Sequence, residues 1–228
     1  MTRWGMVIDL DKCVACQACT AACRAENNVP FAGPEAAAKG RAMFWNEVIP
    51  HVEGEYPDVK ARYFPRPCMH CDRSPCAMVC PVGATYKDEE GVVHQNYDRC
   101  IGCRLCTVAC PYGARYFNWF KPEFPEPMVS YRNPDYEPRI RPKGIVEKCV
   151  FCVQRIRKAK EAAKAEGREL RDGDITPACV QTCTGKARYF GNLDDPESMV
   201  SRQARSTRAF RLLEEMGTQP KVIYLMEG

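Results

Sequence analysis

The chain has 228 residues, of which 33 are lysine or arginine and 29 are aspartate or glutamate, for a net charge of +4. This length allows one large domain or two small ones, and so small an excess of positive charge gives no support for nucleic-acid binding. Sixteen residues are cysteine and count toward the 45% hydrophobic share, so the aliphatic core is thin and we expect bound inorganic groups to contribute to folding.

The first predicted element is a strand from Trp4 to Asp9, which leads into Asp11-Lys12-Cys13. The N-terminus has no apolar stretch and no twin-arginine pair, so we expect no export signal. No apolar run approaches the roughly 18 residues that a membrane-spanning helix needs. We therefore expect the protein to stay in the cytoplasm or to be exported folded with a signal-bearing partner.

The cysteines fall into four groups of four with none left over. The third group has the spacing C-x2-C-x2-C-x3-C-P, by which bacterial ferredoxins hold [4Fe–4S] clusters, the fourth cysteine ligating a neighbouring cluster. The groups are Cys13, Cys16, Cys19 and Cys23; Cys68, Cys71, Cys76 and Cys80; Cys100, Cys103, Cys106 and Cys110; and Cys149, Cys152, Cys179 and Cys183.

Two other uses of so many cysteines need to be weighed. A disulfide framework has no reason to repeat C-x2-C four times. Structural zinc in an interaction protein suits paired C-x2-C knuckles better, yet it needs neither a third cysteine three residues on nor a Cys-Pro step. Cluster binding is the preferred interpretation, and because every thiol then has a use, the cysteines do not report the redox compartment.

Two internal repeats accompany the cysteine groups. The acid, base and first cysteine of Asp11-Lys12-Cys13 recur at Asp98-Arg99-Cys100 and at Glu147-Lys148-Cys149. After the fourth cysteine, Ala114-Arg115-Tyr116-Phe117 is matched by Ala187-Arg188-Tyr189-Phe190. The glycine before each of these runs predicts a turn, and the β-prone Tyr-Phe pair predicts a short strand. Strand, cluster loop, short helix and return strand make half of a two-cluster ferredoxin.

Longer segments separate the groups. Residues 24–67 contain a predicted strand at Phe44–Ile49. The stretch from Pro122 to Pro142 holds six prolines and is predicted to be irregular. Gln154 to Leu170 is rich in Lys, Glu, Ala and Arg, and it is predicted to be a charged helix. A solvated face is preferred for this helix over a surface that docks on a partner.

Beyond Cys183 the chain runs on for 45 residues without a further cysteine. Asp195-Pro196 is predicted to start a helix, and Lys221 to Leu225 is predicted to be a strand. Between them, Ser206 to Gly217 is predicted to be an amphipathic helix. Its apolar face would carry Phe210, Leu213 and Met216. This tail either packs against its own domain or reaches a partner.

Because the last cysteine of a motif serves its partner, the pairing of groups decides the ligand sets. The second and third groups both end in Cys-Pro and are close in sequence, so we pair them, and the first and fourth pair by exclusion, although Arg24 and Thr184 replace their prolines. We number the predicted sets by the group that supplies three ligands. Set 1 is Cys13, Cys16, Cys19 and Cys183; set 2 is Cys68, Cys71, Cys76 and Cys110; set 3 is Cys100, Cys103, Cys106 and Cys80; set 4 is Cys149, Cys152, Cys179 and Cys23.

The predicted fold class is α+β, with two interleaved bacterial-ferredoxin-like modules, one inserted within the other, and four clusters in a row. The predicted divisions are residues 1–59 for the first half of the outer module with an insertion, 60–120 for the inner module, 121–143 for a proline-rich connection, 144–191 for the second half of the outer module, and 192–228 for a C-terminal extension that docks on a partner subunit.

The order of these groups, with Cys68-Met69-His70-Cys71 and Cys110-Pro111-Tyr112-Gly113-Ala114, resembles the iron–sulfur subunit of the dimethyl sulfoxide reductase and polysulfide reductase family of molybdopterin oxidoreductases. The resemblance covers nearly the whole chain and includes Gly144–Cys149, Gly191–Pro196 and Gly217–Pro220. It implies a non-catalytic subunit that relays electrons through four [4Fe–4S] clusters between a molybdopterin catalytic subunit and a quinone-binding membrane subunit.

Further expectations come from the same resemblance. In the family, the pair formed by the first and fourth groups faces the molybdenum subunit and the other pair faces the quinone side. Relatives that reduce nitrate have tryptophan at the position of Cys103 and hold a three-iron cluster, so this cysteine implies four cubanes.

The implied complex is a respiratory oxidoreductase of a sulfur compound (polysulfide, thiosulfate, tetrathionate or sulfite) or of arsenic. It would be peripheral to the bacterial cytoplasmic membrane, on either face, and this chain would bind no substrate of its own. The alternatives are the β subunit of a formate dehydrogenase or hydrogenase, and a free-standing polyferredoxin.

Four cations lie next to cysteines in the sequence, namely Lys12, Arg99, Arg104 and Lys148. A cation that faces a cluster stabilises its reduced, more negative state and raises its potential. Solvent-screened surface charge is the simpler interpretation for each of them.

One histidine and one aromatic run also lie close to the cysteines. His70 is predicted to support or pack against a cluster loop and not to ligate, because the thiols suffice. Tyr116, Phe117, Trp119 and Phe120 are predicted to be core residues or, in a sharper hypothesis, partly a contact with the membrane subunit.

Overall fold

The structure is a computed structural model that describes residues 2–124, 126–127, 132–134 and 140–227. The strands are β1 (Trp4–Asp9), β2 (Asn46–Glu53), β3 (Lys60–Pro67), β4 (Thr85–Lys87), β5 (Val93–Gln95), β6 (Tyr116–Phe117), β7 (Val146–Glu147), β8 (Arg188–Asn192), β9 (Ala209–Phe210) and β10 (Val222–Leu225). The helices are α1 (Ala18–Glu26), α2 (Pro34–Ala38), α3 (Pro75–Met78), α4 (Leu105–Val108), α5 (Val153–Ala165), α6 (Ala178–Gln181) and α7 (Met199–Ala204).

Four strands form the main sheet in the order β8, β1, β10, β9. β1 pairs parallel with β10 and antiparallel with β8. All six residues of β1 are buried, as expected of a largely apolar strand that is covered on both faces. The sheet therefore joins the N-terminal strand, the return strand after Cys183 and the C-terminal tail in one core.

Three two-stranded sheets complete the strand pairing among the described residues, namely β2 with β3, β4 with β5, and β6 with β7. In the last of these, Tyr116 lies opposite Glu147 and Phe117 lies opposite Val146. The return strand after the third cysteine group thus pairs with the approach strand of the fourth group.

Cysteines occupy four of the helices, with Cys19 and Cys23 in α1, Cys76 in α3, Cys106 in α4 and Cys179 in α6. α1 contacts α6, and α3 contacts α4. The first and fourth groups therefore lie together in space, as do the second and third.

The predicted amphipathic helix at Ser206–Gly217 is wrong. The chain forms β9 here, with Phe210 opposite Tyr224 of β10, and then a 3-10 turn at Glu214–Met216. Leu213 has a φ of 50°, in the left-handed region that interrupts a helix. In this segment, hydrogen bonding to the edge of the main sheet is therefore more favourable than the helix that the spacing of its apolar side chains predicts.

The helix predicted to start at Asp195-Pro196 begins later. α7 starts at Met199 and is capped by Ser198, whose Oγ accepts a hydrogen bond from Ser201 N at 3.2 Å. Asp195 instead lies in the preceding turn, where its carbonyl accepts from Ser198 N at 3.2 Å.

Other predicted elements are confirmed. β1 and β10 match the predicted strands, β2 overlaps the strand predicted at Phe44–Ile49, and α5 is the charged helix, although it ends at Ala165. Of the two interpretations of the tail, packing against its own domain is confirmed for β9 and β10. The predicted irregular stretch from Pro122 to Pro142 lies largely outside the described residues. Within the described ranges, no helix has the length and apolar character needed to cross a bilayer.

Candidate metal centres

All sixteen cysteines lie within the described residues as free thiols. Most are buried or half-buried, whereas Cys16 and Cys103 are exposed. The thiols are therefore available to hold another group, and two of them lie at the protein surface.

The same backbone conformation recurs in all four C-x2-C loops. The residue before the second cysteine has a positive φ in each loop, namely 54° at Ala15, 44° at His70, 69° at Gly102 and 55° at Phe151. Residues other than glycine seldom adopt this conformation, and it helps to turn neighbouring N–H groups toward a shared anion. Phe151 N, for example, lies 3.5 Å from the Sγ of Cys149. The loops are thus suited to holding anionic sulfur.

The thiols predicted for set 4 face one another. Burial raises the pKa of Cys23 well above its ordinary value, and the charges of Cys149, Cys152 and Cys179 add to the effect. The fourth cysteine of the first group therefore lies within electrostatic range of the first three of the last group, and their assignment to one cluster stays a prediction.

In set 1 the roles of the two groups are exchanged, because the last cysteine of the fourth group, Cys183, interacts with a cysteine of the first group. Burial is the main cause of the raised pKa of Cys13, and the charges of Cys19 and Cys183 contribute to it. The exposed Cys16 lies near the same place, since its Sγ is 3.4 Å from the Oγ1 of Thr184, the neighbour of Cys183.

One thiol of set 2 interacts with all three others, whereas for set 3 an interaction is seen between only two of the described thiols. Burial raises the pKa of Cys71 to about 12, with smaller contributions from Cys68, Cys76 and Cys110, which are the other members of set 2. For set 3, Cys106 interacts with Cys100. Cys80 is held within its own loop, where Thr85 N lies 3.5 Å from its Sγ. Only the spacing of the cysteines in the sequence therefore assigns Cys80 and the exposed Cys103 to set 3. The assignment of ligands stays a prediction.

Three thiol pairs connect one set to the next. Cys19 of set 1 interacts electrostatically with Cys179 of set 4, and Cys149 of set 4 interacts with Cys68 of set 2. Cys76 of set 2 interacts in turn with Cys106 of set 3. These pairs order the sets as 1, 4, 2, 3.

Burial favours the protonated form of the thiols of Cys106, Cys149 and Cys179. It raises the pKa of Cys149 to about 12, and neighbouring thiols add to that shift. Metal binding to such a thiol must release its proton, so metal affinity depends on pH. Once a metal is bound, the positive charge of the ion keeps the sulfur deprotonated.

Side-chain amides and a guanidinium approach the sulfurs of the outer sets. Asn46 Nδ2 lies 3.2 Å and Arg188 Nη2 lies 3.4 Å from the Sγ of Cys19. Asn27 Nδ2 lies 3.7 Å from the Sγ of Cys23. Hydrogen bonds to cluster sulfurs are among the factors that set a cluster's potential. Sulfur ligands surrounded by donors of this kind fit an iron–sulfur cluster.

The described residues contain no group of three or more His, Cys, Asp or Glu side chains close enough to hold a single metal ion. One zinc ion would need its thiolates at about 2.3 Å. A cubane takes one thiolate at each of its four irons and keeps its ligands further apart.

Comparison with known proteins identifies this type of centre. The sequence model of the "4Fe-4S dicluster domain" family matches residues 59–126, and that of the "4Fe-4S binding domain" family matches residues 4–25. The iron–sulfur cluster-binding subunit of the menaquinone reductase of Nitratidesulfovibrio vulgaris is 49% identical, over 98% of this chain and 88% of that protein. One subunit of the selenate reductase of Mesobacillus selenatarsenatis is 42% identical, over 98% of this chain and 72% of that protein. The iron–sulfur subunit of the arsenate respiratory reductase of a Shewanella species is 38% identical, over 98% of this chain and 96% of that protein.

The chain belongs to the family of iron–sulfur subunits of molybdopterin oxidoreductases. Like its relatives, this iron–sulfur subunit is a non-catalytic electron-transfer component of an oxidoreductase complex. When bound, iron–sulfur clusters accept and donate single electrons. The cysteines of the subunit would hold the clusters, and buried side chains such as Asn46 and Arg188 would surround them with hydrogen-bond donors and charge.

Of the four cations next to cysteines in the sequence, three lie at the surface and one is buried. Lys12 is half-exposed and donates to the hydroxyl of Tyr189 at 2.8 Å. Arg99 and Arg104 are exposed. Lys148 is fully buried, and its Nζ donates to the next carbonyl, that of Cys149, at 2.7 Å. Solvent screening is therefore the better interpretation of the first three.

Four buried polar residues that lie near the thiols were not predicted from the sequence, namely Asn27, Asn46, Arg115 and Arg188. Nothing marks the two asparagines in the sequence. A signal for the arginines did exist, since they occupy the same position in the repeated Ala-Arg-Tyr-Phe segments.

Proposed function

We propose that this subunit holds four [4Fe–4S] clusters in sets 1 to 4 and relays single electrons along them. The electrons would pass between a molybdopterin catalytic subunit and a quinone-binding membrane subunit. The observation that carries this proposal is the unbroken series of thiol pairs Cys19–Cys179, Cys149–Cys68 and Cys76–Cys106. A relay requires neighbouring clusters that are near enough for an electron to pass from one to the next, and access for partner proteins at its two ends.

The exposed cysteines supply that access. Cys16 of set 1 and Cys103 of set 3 are exposed, and these are the first and last sets of the series. Electrons could therefore enter or leave at both ends without crossing a thick layer of protein.

Exposed apolar side chains surround the set 3 end. Met78 of α3 is 82% exposed, and Val108 of α4, the helix that contacts α3, is 86% exposed. Ile101, beside Cys100, is 64% exposed. Apolar residues clustered in this way at a surface favour a protein partner. At the opposite end, Val14 between Cys13 and Cys16 is 66% exposed.

The aromatic run near set 3 is divided between the core and the surface. Phe117 packs against Val93 and Val146, and Trp119 meets Phe117 edge-on with ring centroids 4.7 Å apart. Phe120 is 48% exposed. We therefore propose Phe120 as the member of the run that contacts the membrane subunit.

The proposed architecture is that of two interleaved modules. The contact of α1 with α6 and that of α3 with α4 support an outer module of residues 1–59 and 144–191 around an inner module of 60–120. Residues 121–143 would connect them, and 192–228 would form the extension. Since β10 lies between β1 and β9, any docking by this extension would use its outer surface.

The terminal substrate is proposed from the relatives alone. Their names refer to menaquinone, selenate and arsenate reductases and to a sulfite dehydrogenase. We propose a quinone-linked respiratory complex at the bacterial membrane that acts on a sulfur compound or on arsenic. The β subunit of a formate dehydrogenase or hydrogenase remains the second candidate.

The test is to isolate the complex under anaerobic conditions, identify the subunits that copurify and measure iron. Four clusters predict roughly sixteen irons in this subunit, a molybdopterin-containing large subunit and a membrane subunit. Zinc, far fewer irons than four clusters need, or isolation of the chain alone would contradict the proposal. A large subunit typical of formate dehydrogenase would favour the second candidate.

A further inference from the structure

Two arginines occupy equivalent positions in the two halves of the internal repeat. Arg115 follows Ala114, and Arg188 follows Ala187, in the repeated Ala-Arg-Tyr-Phe segments. Arg115 is only 6% exposed and Arg188 only 4% exposed. A guanidinium is seldom buried so deeply unless an opposite charge compensates it. Each of these residues therefore needs an anion nearby.

Arg188 lies between the two outer sets. Its Nη2 donates to Asn46 Oδ1 at 2.7 Å and lies 3.4 Å from Cys19 Sγ of set 1. Cys179 of set 4 and Cys183 of set 1 are also within electrostatic range. This guanidinium thus contacts a sulfur of set 1 and the amide of Asn46, and it interacts electrostatically with a sulfur of set 4.

Arg115 lies between the two inner sets in the same way. Its Nη1 donates to Thr85 Oγ1 at 3.1 Å and to Gln95 Oε1 at 3.0 Å. Its Nε and Nη2 are buried and make no hydrogen bond of normal geometry within the described residues. The thiols in electrostatic range are Cys68 and Cys76 of set 2 and Cys106 of set 3. Two buried donors are therefore left on the side of the thiols.

We propose that Arg115 and Arg188 are equivalent positioning residues, each a fixed positive charge between the two clusters of one module. Reduction adds one negative charge to a cluster, and a buried cation stabilises that charge strongly because the surroundings have a low dielectric constant. The charge would raise the potentials of both neighbouring clusters and weaken the repulsion between two reduced ones. This inference rests on the proposed ligand sets.

Arginine suits this role better than lysine or histidine. Its guanidinium stays protonated even when buried, so the charge persists over the whole physiological pH range. Its planar shape also lets one edge bind a fixed amide while the other faces sulfur. Asn46 does this for Arg188, and Gln95 does it for Arg115.

The test measures cluster potentials by redox titration followed by EPR in the intact complex. Arg188→Gln should lower the midpoint potentials of the two outer clusters and leave the inner pair unchanged, and Arg115→Gln should do the reverse. Arg202→Gln, which removes the same charge from an exposed side chain, should shift none. Each module serves as the internal control for the other.

A second pair of variants keeps the arginines in place. Asn46→Asp and Gln95→Glu each put a carboxylate where an amide now contacts the guanidinium, and they should lower the same two potentials as removal of the arginine. Unchanged potentials in variants that retain full iron would overturn the inference. Loss of iron from all four variants would also overturn it, since the arginines would then serve folding alone. A wild-type complex without four clusters would instead contradict the proposed function.

Discussion

His70 lies face to face with Phe151, with ring centroids 3.7 Å apart. Each residue precedes the second cysteine of a C-x2-C loop, and each has a left-handed backbone. His70 is fully buried, and its Nδ1 accepts a hydrogen bond from Val93 N at 3.0 Å. Burial, with Lys148 and Lys221 nearby, holds the pKa of His70 well below its ordinary value. The stack therefore joins a loop of set 2 to a loop of set 4 at the junction of the two proposed modules.

Replacing Phe151 with alanine should destabilise this junction. Truncation of a buried phenylalanine costs about 3–5 kcal/mol, of which an aromatic pair contributes about 0.5–1.5 kcal/mol beyond the buried area. Phe151→Ala should lower the temperature at which the visible cluster absorbance disappears on heating. Tyr56→Ala, at a side chain that is 93% exposed, is the control and should leave that temperature unchanged. Equal temperatures for both variants would show that the stack contributes no stability.

Gly102 should not tolerate a side chain. It has a φ of +69°, and a Cβ there would lie 2.0 Å from the carbonyl oxygen of Gly144. Because this carbonyl belongs to the backbone, relief requires the loop of Cys100 and Cys103 to move. Gly102→Ala should therefore reduce the iron content by about one cluster of four irons, with the loss confined to the set 3 signal in EPR.

The matched control for Gly102 is Gly33→Ala. No atom lies within 4 Å of a Cβ at Gly33, and its φ is negative. This variant should keep its full iron content. Full iron in Gly102→Ala as well would mean that the close approach to Gly144 is unimportant for holding the cluster.

Much of the candidate site could be predicted because cysteine spacing is a local property of the chain. The C-x2-C steps, the Cys-Pro pairs and the repeated Ala-Arg-Tyr-Phe segments are all read within a dozen residues. The contacts of Asn46 could not be read in that way, since it approaches Cys19 from 27 residues away and Arg188 from 142 residues away. Residues of ordinary type acquire such roles only when the fold brings distant segments together.

The secondary structure of the C-terminal tail also depends on contacts between distant segments, which the local sequence does not reveal. The spacing of Phe210, Leu213 and Met216 satisfies a helical period, yet Phe210 joins a strand because β10 offers an open edge. Pairing to a distant strand depends on tertiary structure, and local periodicity does not report it. Strands with strong apolar runs, such as β1, could be predicted because burial on both faces leaves a pattern in the sequence itself.

The largely buried His94 should make stability depend on pH. Burial lowers its pKa below the ordinary value, Asp88 partly opposes that shift, and Lys148 and Arg157 add to it. The unfolded chain then binds more protons than the folded chain just below pH 6.5, the ordinary pKa, so stability falls as the pH drops through that window. His94→Gln should flatten this dependence, measured as the unfolding temperature between pH 7.5 and 5.5 and compared with His51→Gln on the exposed β2 strand. An identical slope in wild type and His94→Gln would contradict the assignment.

Removing iron should unfold the cysteine-bearing regions before the main sheet. α3, α4 and α6 have four residues each, far below the roughly 12 residues at which isolated helices become marginally stable. Burial also raises the pKa of Cys106 in α4 and of Cys179 in α6, and binding of metal to cysteines that have no preformed site in the unfolded chain supplies folding energy. Chelation of iron under reducing conditions should raise amide hydrogen exchange in these helices to the rate of an unfolded chain. β1, buried on both faces between β8 and β10, should keep slower exchange. Protection of α3, α4 and α6 that survives complete iron removal would show that these segments fold without their clusters.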